Sequence, residues 1–158
     1  MTRAEIIAQL ADALVRRGWY LACAESCTGG GIAAALTDVA GSSAWFDRGF
    51  VTYSNAAKRE MLGVSAQTLE HHGAVSCETV LEMAQGALGH SSARLAVAVS
   101  GIAGPGGGSP EKPVGTVWIA WAGPNGAEAV PHLFPGDRRA VREASVDAAL
   151  QGLLERAR

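Results

Sequence analysis

The feature that most limits the fold of this chain is a pattern used twice: a short apolar run of strand length that ends on a glycine-rich turn. The first instance runs from Trp19 to Ala24, continues as Glu25-Ser26-Cys27-Thr28-Gly29-Gly30-Gly31, and leads into the helical stretch Ile32 to Val39. The second is Leu95 to Val99, followed by Ser100-Gly101-Ile102-Ala103-Gly104-Pro105-Gly106-Gly107-Gly108. Continuous apolar runs bounded by such turns suit strands covered on both faces, so the pattern predicts a sheet with helices packed on either side.

The remaining segments fit that frame. Thr2 and Glu5 form a capping box, Ile6, Ile7, Leu10 and Leu14 recur at helical spacing, and Gly18 stops the run behind Arg16 and Arg17. Gly49 to Tyr53 reads as a strand, with Ser54-Asn55 capping a helix that runs to Leu62 before Gly63. Ser76 caps a further helix carrying Val80, Met83, Ala87 and Leu88. Val114 to Trp121, the turn Pro124-Asn125-Gly126 and the run to Phe134 form a hairpin, and Pro131 makes its second strand an edge strand. Asp137 caps a long final helix, with Val141, Ala144, Ala148 and Leu153 or Leu154 toward the core.

The expected fold is therefore α/β and layered: a largely parallel central sheet, an added antiparallel hairpin, and helices on both faces. A chain of 158 residues suits one domain, 1–158, with no internal repeat and no linker. In such sheets ligands bind beyond the carboxyl ends of the strands, where Ser26, Tyr53 and Ser100 all fall.

Charge and cysteine usage narrow the function classes. The net charge is -2 and the basic residues are scattered, which argues against a nucleic-acid partner. No apolar run reaches the length of a membrane span or forms a signal-peptide core, so the expected location is the cytoplasm, with no membrane partner. Cys23, Cys27 and Cys77 make no C-x-x-C pair, which fits a reducing compartment. His71, His72, His90 and His132 lack metal-ligand spacing, so no metal site is expected.

Few residues can carry chemistry, since the chain has only the lysines Lys58 and Lys112 and only the tyrosines Tyr20 and Tyr53. With Asn55 as helix cap, Lys58 stands in the first turn, where the helix dipole opposes its charge. A partly desolvated lysine there suits a neutral amine acting as general base for a serine. The alternative is an exposed lysine whose stem covers apolar surface. Ser26 precedes small residues whose N–H groups, at Thr28, Gly29 and Gly30, suit an oxyanion hole or a phosphate site; a tight strand-to-helix turn is the plainer reading. The segment is neither a P-loop nor a G-x-S-x-G elbow, since Ala24 replaces the first glycine. Cys27 is the second candidate nucleophile. Arg138 or Arg142, at the start of the last helix, suits contact with a ligand phosphate.

The segments AESCTGG (24–30), GSSAWFDRGFVTYSNAAK (41–58), HGAVS (72–76), SGIAGPGGGSPEKPVGTVW (100–118) and GDR (136–138) together resemble the CinA C-terminal-domain family. Its stand-alone members include nicotinamide-nucleotide amidohydrolase. The resemblance implies hydrolysis of the carboxamide of nicotinamide mononucleotide (NMN) to nicotinate mononucleotide and ammonia, in pyridine-nucleotide salvage. It places the family's serine, lysine and tyrosine on Ser26, Lys58 and Tyr53. It implies no metal or organic cofactor, and implies a homo-oligomer; for such a substrate, the loop with Ser100, Gly101 and Gly104, together with Arg138, is expected to contact the ribose phosphate. The family's older label, competence or damage-inducible protein, suggests nucleic acid, which the acidic balance does not support. The rival expectation is a non-catalytic nucleotide-sensing or partner-binding module of the same fold.

Overall fold

The computed structural model describes residues 1–158. Six α-helices and five strands follow one another as α1 (Arg3–Arg17), β1 (Leu21–Glu25), α2 (Gly31–Thr37), β2 (Phe46–Val51), α3 (Asn55–Leu62), α4 (Ala66–His72), α5 (Cys77–Gly89), β3 (Leu95–Gly101), β4 (Thr116–Gly123), β5 (Gly126–Leu133) and α6 (Arg138–Ala157). A 3-10 turn over Ser42–Ala44 precedes β2. The strands form one sheet in the order β2-β1-β3-β4-β5. β1 pairs parallel with both β2 and β3, whereas β4 and β5 are antiparallel additions. The parallel part is thus three strands wide, and the expected hairpin completes the sheet with β5, carrying Pro131, at its edge.

Alternation along the strands decides how each face is covered. Leu21, Cys23, Leu95, Val97, Val99, Val117, Ile119 and Trp121 point to one face, where they bury against α1, α2 and α6. The intervening residues Ala22, Ala24, Ala96, Ala98, Ala120 and Ala122 point to the other face, where Trp118 of β4 is the one large side chain that β1, β3 and β4 contribute. An alanine surface lets a helix lie close, and α5 occupies it with Val80, Met83, Ala84 and Ala87. The closeness extends to α3, because a Cβ at Gly86 of α5 would sit 2.1 Å from the Leu62 carbonyl oxygen.

Caps set most helix ends. The Thr2–Glu5 capping box opens α1, and Gly18, at φ 66°, closes it. Asp137 Oδ1 accepts the Ala140 N–H at the start of α6. For α3 the cap is Ser54 and not Asn55, since the Ser54 hydroxyl accepts the Ala57 N–H. α4 was not expected; its cap, Ser65, accepts from the Gln67 N–H, and only Leu69 of its seven residues is buried, so it carries little periodic signal.

Boundaries moved where pairing overrode local pattern. β1 starts at Leu21, two residues after Trp19, because the α1 C-cap turn takes Gly18 and Trp19 lies under the Arg17 guanidinium. β2 covers Phe46–Val51, earlier than the expected Gly49 to Tyr53, because its parallel register opposes Leu21 to Phe46 and Glu25 to Val51. In α6 the buried stripe runs through Val141, Ser145, Val146, Ala149, Leu150, Leu153 and Leu154, while Ala144 and Ala148 lie half-buried at its flank. No helix is long and apolar enough to cross a membrane.

Candidate active site

The three parallel strands end together at Glu25, Val51 and Gly101, so the segments that follow them share one rim. Ser26 leaves β1 with its N–H donated to the Val99 carbonyl at 3.0 Å. At β2, the Thr52 N–H donates to the Glu25 carbonyl at 2.8 Å, which ties the two strand ends together. Ser26, Lys58, Tyr53, Ser100, Gly101, Gly104 and Arg138 all line a cleft of about 300 Å³. Thr28, Gly29 and Gly30 lie in the adjoining turn and do not line it.

Lys58 is the least expected side chain in the interior, at 1% exposure. Its backbone N–H closes the first turn of α3 on the Ser54 carbonyl, and its side chain reaches back to the end of β2. There Nζ lies 2.9 Å from the Thr52 carbonyl oxygen, 3.2 Å from that of Tyr53 and 3.0 Å from Ser26 Oγ. No carboxylate pairs with it. Burial pushes the Lys58 ammonium below its ordinary 10.5, against a smaller upward pull from the Cys27 sulfur.

Cys27 adjoins Ser26 but has a different environment. Burial pushes its thiol up to about 11, with its own backbone N–H and Arg142 opposing the rise, so the sulfur is uncharged near neutrality. The other buried thiol, Cys23, is also raised, by burial first and then by Glu25.

Tyr53 meets the site in two ways. Its carbonyl accepts from Lys58 Nζ and, at 3.4 Å, from Ser26 Oγ. Its side chain stands 62% exposed at the cleft mouth, where Arg138 Nη2 lies 3.4 Å from the phenol oxygen. Lys58 is therefore held by the main chain of Tyr53 and not by its ring. Arg138 also donates to the Gly104 carbonyl at 2.8 Å, joining α6 to the second glycine loop. That loop is packed too tightly for side chains at three of its glycines, Gly101, Gly104 and Gly108. A Cβ at Gly101 would lie 2.6 Å from Val117 Cγ2, and one at Gly104, where φ is 82°, would lie 2.5 Å from Val114 Cγ1. Lys112 Nζ, on the far part of the loop, donates to the His72 carbonyl at 2.8 Å.

The turn after Ser26 is held from three sides. The Gly29 N–H donates to the Ser26 carbonyl, so that donor is spent inside the turn. Arg142 donates from Nε to the Cys27 carbonyl at 3.1 Å and from Nη2 to the Thr28 carbonyl at 3.2 Å. These bonds commit Arg142 to the turn, which leaves Arg138 as the arginine facing the cleft. The Ile32 and Ala33 N–H groups, in the first turn of α2, both donate to the buried Glu25 carboxylate. The start of α2 therefore already holds an anion of the protein's own. Of the expected oxyanion donors, the N–H groups of Thr28 and Gly30 donate to no protein acceptor.

Sequence reasoning did not single out Glu25 or the Thr52 carbonyl, and it gave Arg142 a ligand role. A carboxylate ending an otherwise apolar strand was the available signal for Glu25. Ala74 and Val75, between α4 and α5, also line the cleft. No group of three His, Cys, Asp or Glu side chains is gathered that could hold a metal.

Known proteins resemble this chain in both sequence and fold. The family model of the CinA C-terminal domain matches residues 3–157. The nicotinamide-nucleotide amidohydrolase PncC of Enterobacter agglomerans is 59% identical over 151 residues, covering 95% of this chain and 92% of that protein. Its namesake in Pseudomonas putida is 55% identical over 147 residues, covering 93% and 92%. Among solved structures, competence/damage inducible protein CihA of Agrobacterium tumefaciens superposes with a TM-score of 0.94 at 50% identity, covering 97% of this chain and 94% of that one. A CinA superfamily protein of Enterobacter cloacae gives 0.95 at 39% identity, covering 100% and 94%.

Proposed function

The chain belongs to the CinA C-terminal-domain family, and from that premise we propose that it hydrolyses the carboxamide of NMN to nicotinate mononucleotide and ammonia, with Ser26 as nucleophile and Lys58 as general base. The activity for which the relatives at 59% and 55% identity are named supports the substrate. The observation that carries the chemistry is the set of partners around Lys58 Nζ: two carbonyl oxygens and one hydroxyl. A neutral amine has two hydrogens and one lone pair. Donating the two hydrogens to the Thr52 and Tyr53 carbonyls leaves the lone pair for the Ser26 hydroxyl once its hydrogen turns from the Tyr53 carbonyl, 3.4 Å away, to Nζ, the arrangement a general base needs.

In this reaction Lys58 takes the serine proton as Ser26 Oγ attacks the amide carbon. The Thr28 and Gly30 N–H groups are the donors left for the oxyanion. Lys58 returns the proton to the leaving nitrogen, which departs as ammonia. Water then attacks the acyl-serine, passing its proton back through Lys58 and releasing the carboxylic acid. Tyr53 fixes Lys58 through its carbonyl, and its ring, with Arg138, borders the substrate at the mouth. Arg138 and the Ser100 to Gly108 loop face the ribose phosphate; a hollow of about 640 Å³ that Arg138 shares with Arg139 adjoins the cleft there. The three free cysteines support a cytoplasmic setting. Family likeness also carries a homo-oligomeric state, which light scattering checks.

The test is ammonia release from NMN by the purified protein. We expect many turnovers per protein molecule and none in Ser26→Ala. Tight NMN binding without release of ammonia would favour the nucleotide-sensing module instead.

A further inference from the structure

Glu25 is the buried ionisable group that the reaction above leaves unused. It ends β1 with 0% of its surface exposed, and no cation pairs with it. All its partners are neutral donors. Oε1 accepts from Thr28 Oγ1 at 2.6 Å and the Ile32 N–H at 2.8 Å; Oε2 accepts from the Ala33 N–H at 3.0 Å and the Cys23 thiol at 3.7 Å.

Burying an unpaired carboxylate is costly. A serine or aspartate at the helix's own N-cap satisfies the same N–H groups more cheaply. Here that route is closed, because the N-cap of α2 is Gly30 at φ 104° and the residue before it is Gly29 at φ 58°. Side chains are strained in that region. The cap must come from elsewhere, and it comes from the residue that immediately precedes the nucleophile. The carboxylate grips residues 28, 32 and 33 from residue 25, closing a ring around Ser26, Cys27, Gly29 and Gly30.

We propose that Glu25 is a positioning residue for the nucleophile: its carboxylate clasps the Ser26 turn from the strand side, keeping Ser26 Oγ at Lys58 Nζ. The proposal rests on the serine amidohydrolase reading given above. It follows that an amide at this position fails in part, since all four partners present hydrogens and a glutamine must turn its NH₂ toward two of them.

The test uses Glu25→Gln and Thr28→Val, the second removing only the hydroxyl arm of the clasp. Two rates are measured on folded protein: NMN turnover, and modification of Ser26 by phenylmethylsulfonyl fluoride followed by intact mass, which needs no NMN. We expect kcat to fall by roughly 10- to 100-fold in Glu25→Gln, and less in Thr28→Val, as for a small misplacement of a reacting group. KM should stay within about 3-fold, and the Ser26 modification rate should fall in step with kcat. A role confined to folding would lower the melting temperature and leave both rates per folded molecule unchanged. That result in either variant would overturn the proposal. If Glu25→Gln does not fold, Thr28→Val decides. A native protein that neither turns over NMN nor is modified at Ser26 would instead sink the amidohydrolase reading, and the native control separates the two failures.

Discussion

At the scale of single residues, the proposed chemistry depends on a lysine that the fold makes hard to ionise. Burial lowers the Lys58 pKa from 10.5, so the neutral amine becomes available at lower pH than for a free lysine. Activity should therefore rise with pH along an acid limb whose apparent pKa lies below 10.5 and follows Lys58. Lys58→Arg keeps the charge but stays protonated, so its kcat should fall by about 10²- to 10⁴-fold. If Lys58 only attracted the substrate phosphate, Lys58→Arg would keep kcat and raise KM, with the acid limb intact. The adjacent pair gives a second expectation. With its thiol pushed up to about 11, Cys27 is a poor nucleophile at neutral pH, so Cys27→Ala should keep most of the turnover that Ser26→Ala abolishes. An inactive, folded Cys27→Ala beside an active Ser26→Ala would reverse the assignment.

At the scale of elements, the placement of Lys58 depends on how closely α5 approaches α3. The alanine face of the sheet brings α5 in, and Gly86 lets the Leu62 carbonyl of α3 rest against its backbone. Gly86→Ala places a Cβ 2.1 Å from that oxygen, so one helix must move. We expect a loss of about 1–3 kcal/mol by urea denaturation together with a fall in kcat, because α3 carries Lys58. Gly89, near the end of the same helix, has nothing within 4 Å of its Cβ position. Gly89→Ala should be neutral or stabilising by up to about 1 kcal/mol. Equal effects of the two substitutions would mean that helix propensity, and not packing, sets the cost.

At the scale of the whole molecule, groups from distant parts of the chain meet at the cleft mouth, and the proposed substrate choice turns on them. Arg138 bridges the Gly104 carbonyl and lies beside the Tyr53 phenol. If this end of the cleft holds the phosphate, kcat/KM for NMN should exceed that for the riboside and for nicotinamide by about 10²-fold or more, on the order of one charge-assisted bidentate contact. Arg138→Met should remove most of that preference while leaving the rate on nicotinamide nearly unchanged. Equal kcat/KM values for the three compounds in the native protein would take the phosphate site out of the account.

The sequence alone determined what short-range physics controls. Hydrophobic runs, capping residues and glycines act over a few positions, so the capping box at Thr2, the caps at Ser76 and Asp137, the stop at Gly18 and the alternation of strands with helices could all be read directly. The same locality put Ser26, Tyr53 and Ser100 on one rim, since a strand end is a local signal and parallel strands end on the same side. The tertiary structure decided which partner each group meets. Glu25 serves as a cap because α2 folds back over it, and Arg142 reaches the Ser26 turn across 115 positions of sequence. Tyr53 contributes a carbonyl to Lys58 because parallel pairing with β1 ends β2 at Val51. Those outcomes depend on register and long-range packing, in which each donor or acceptor is taken by whichever distant group the fold brings within about 3 Å.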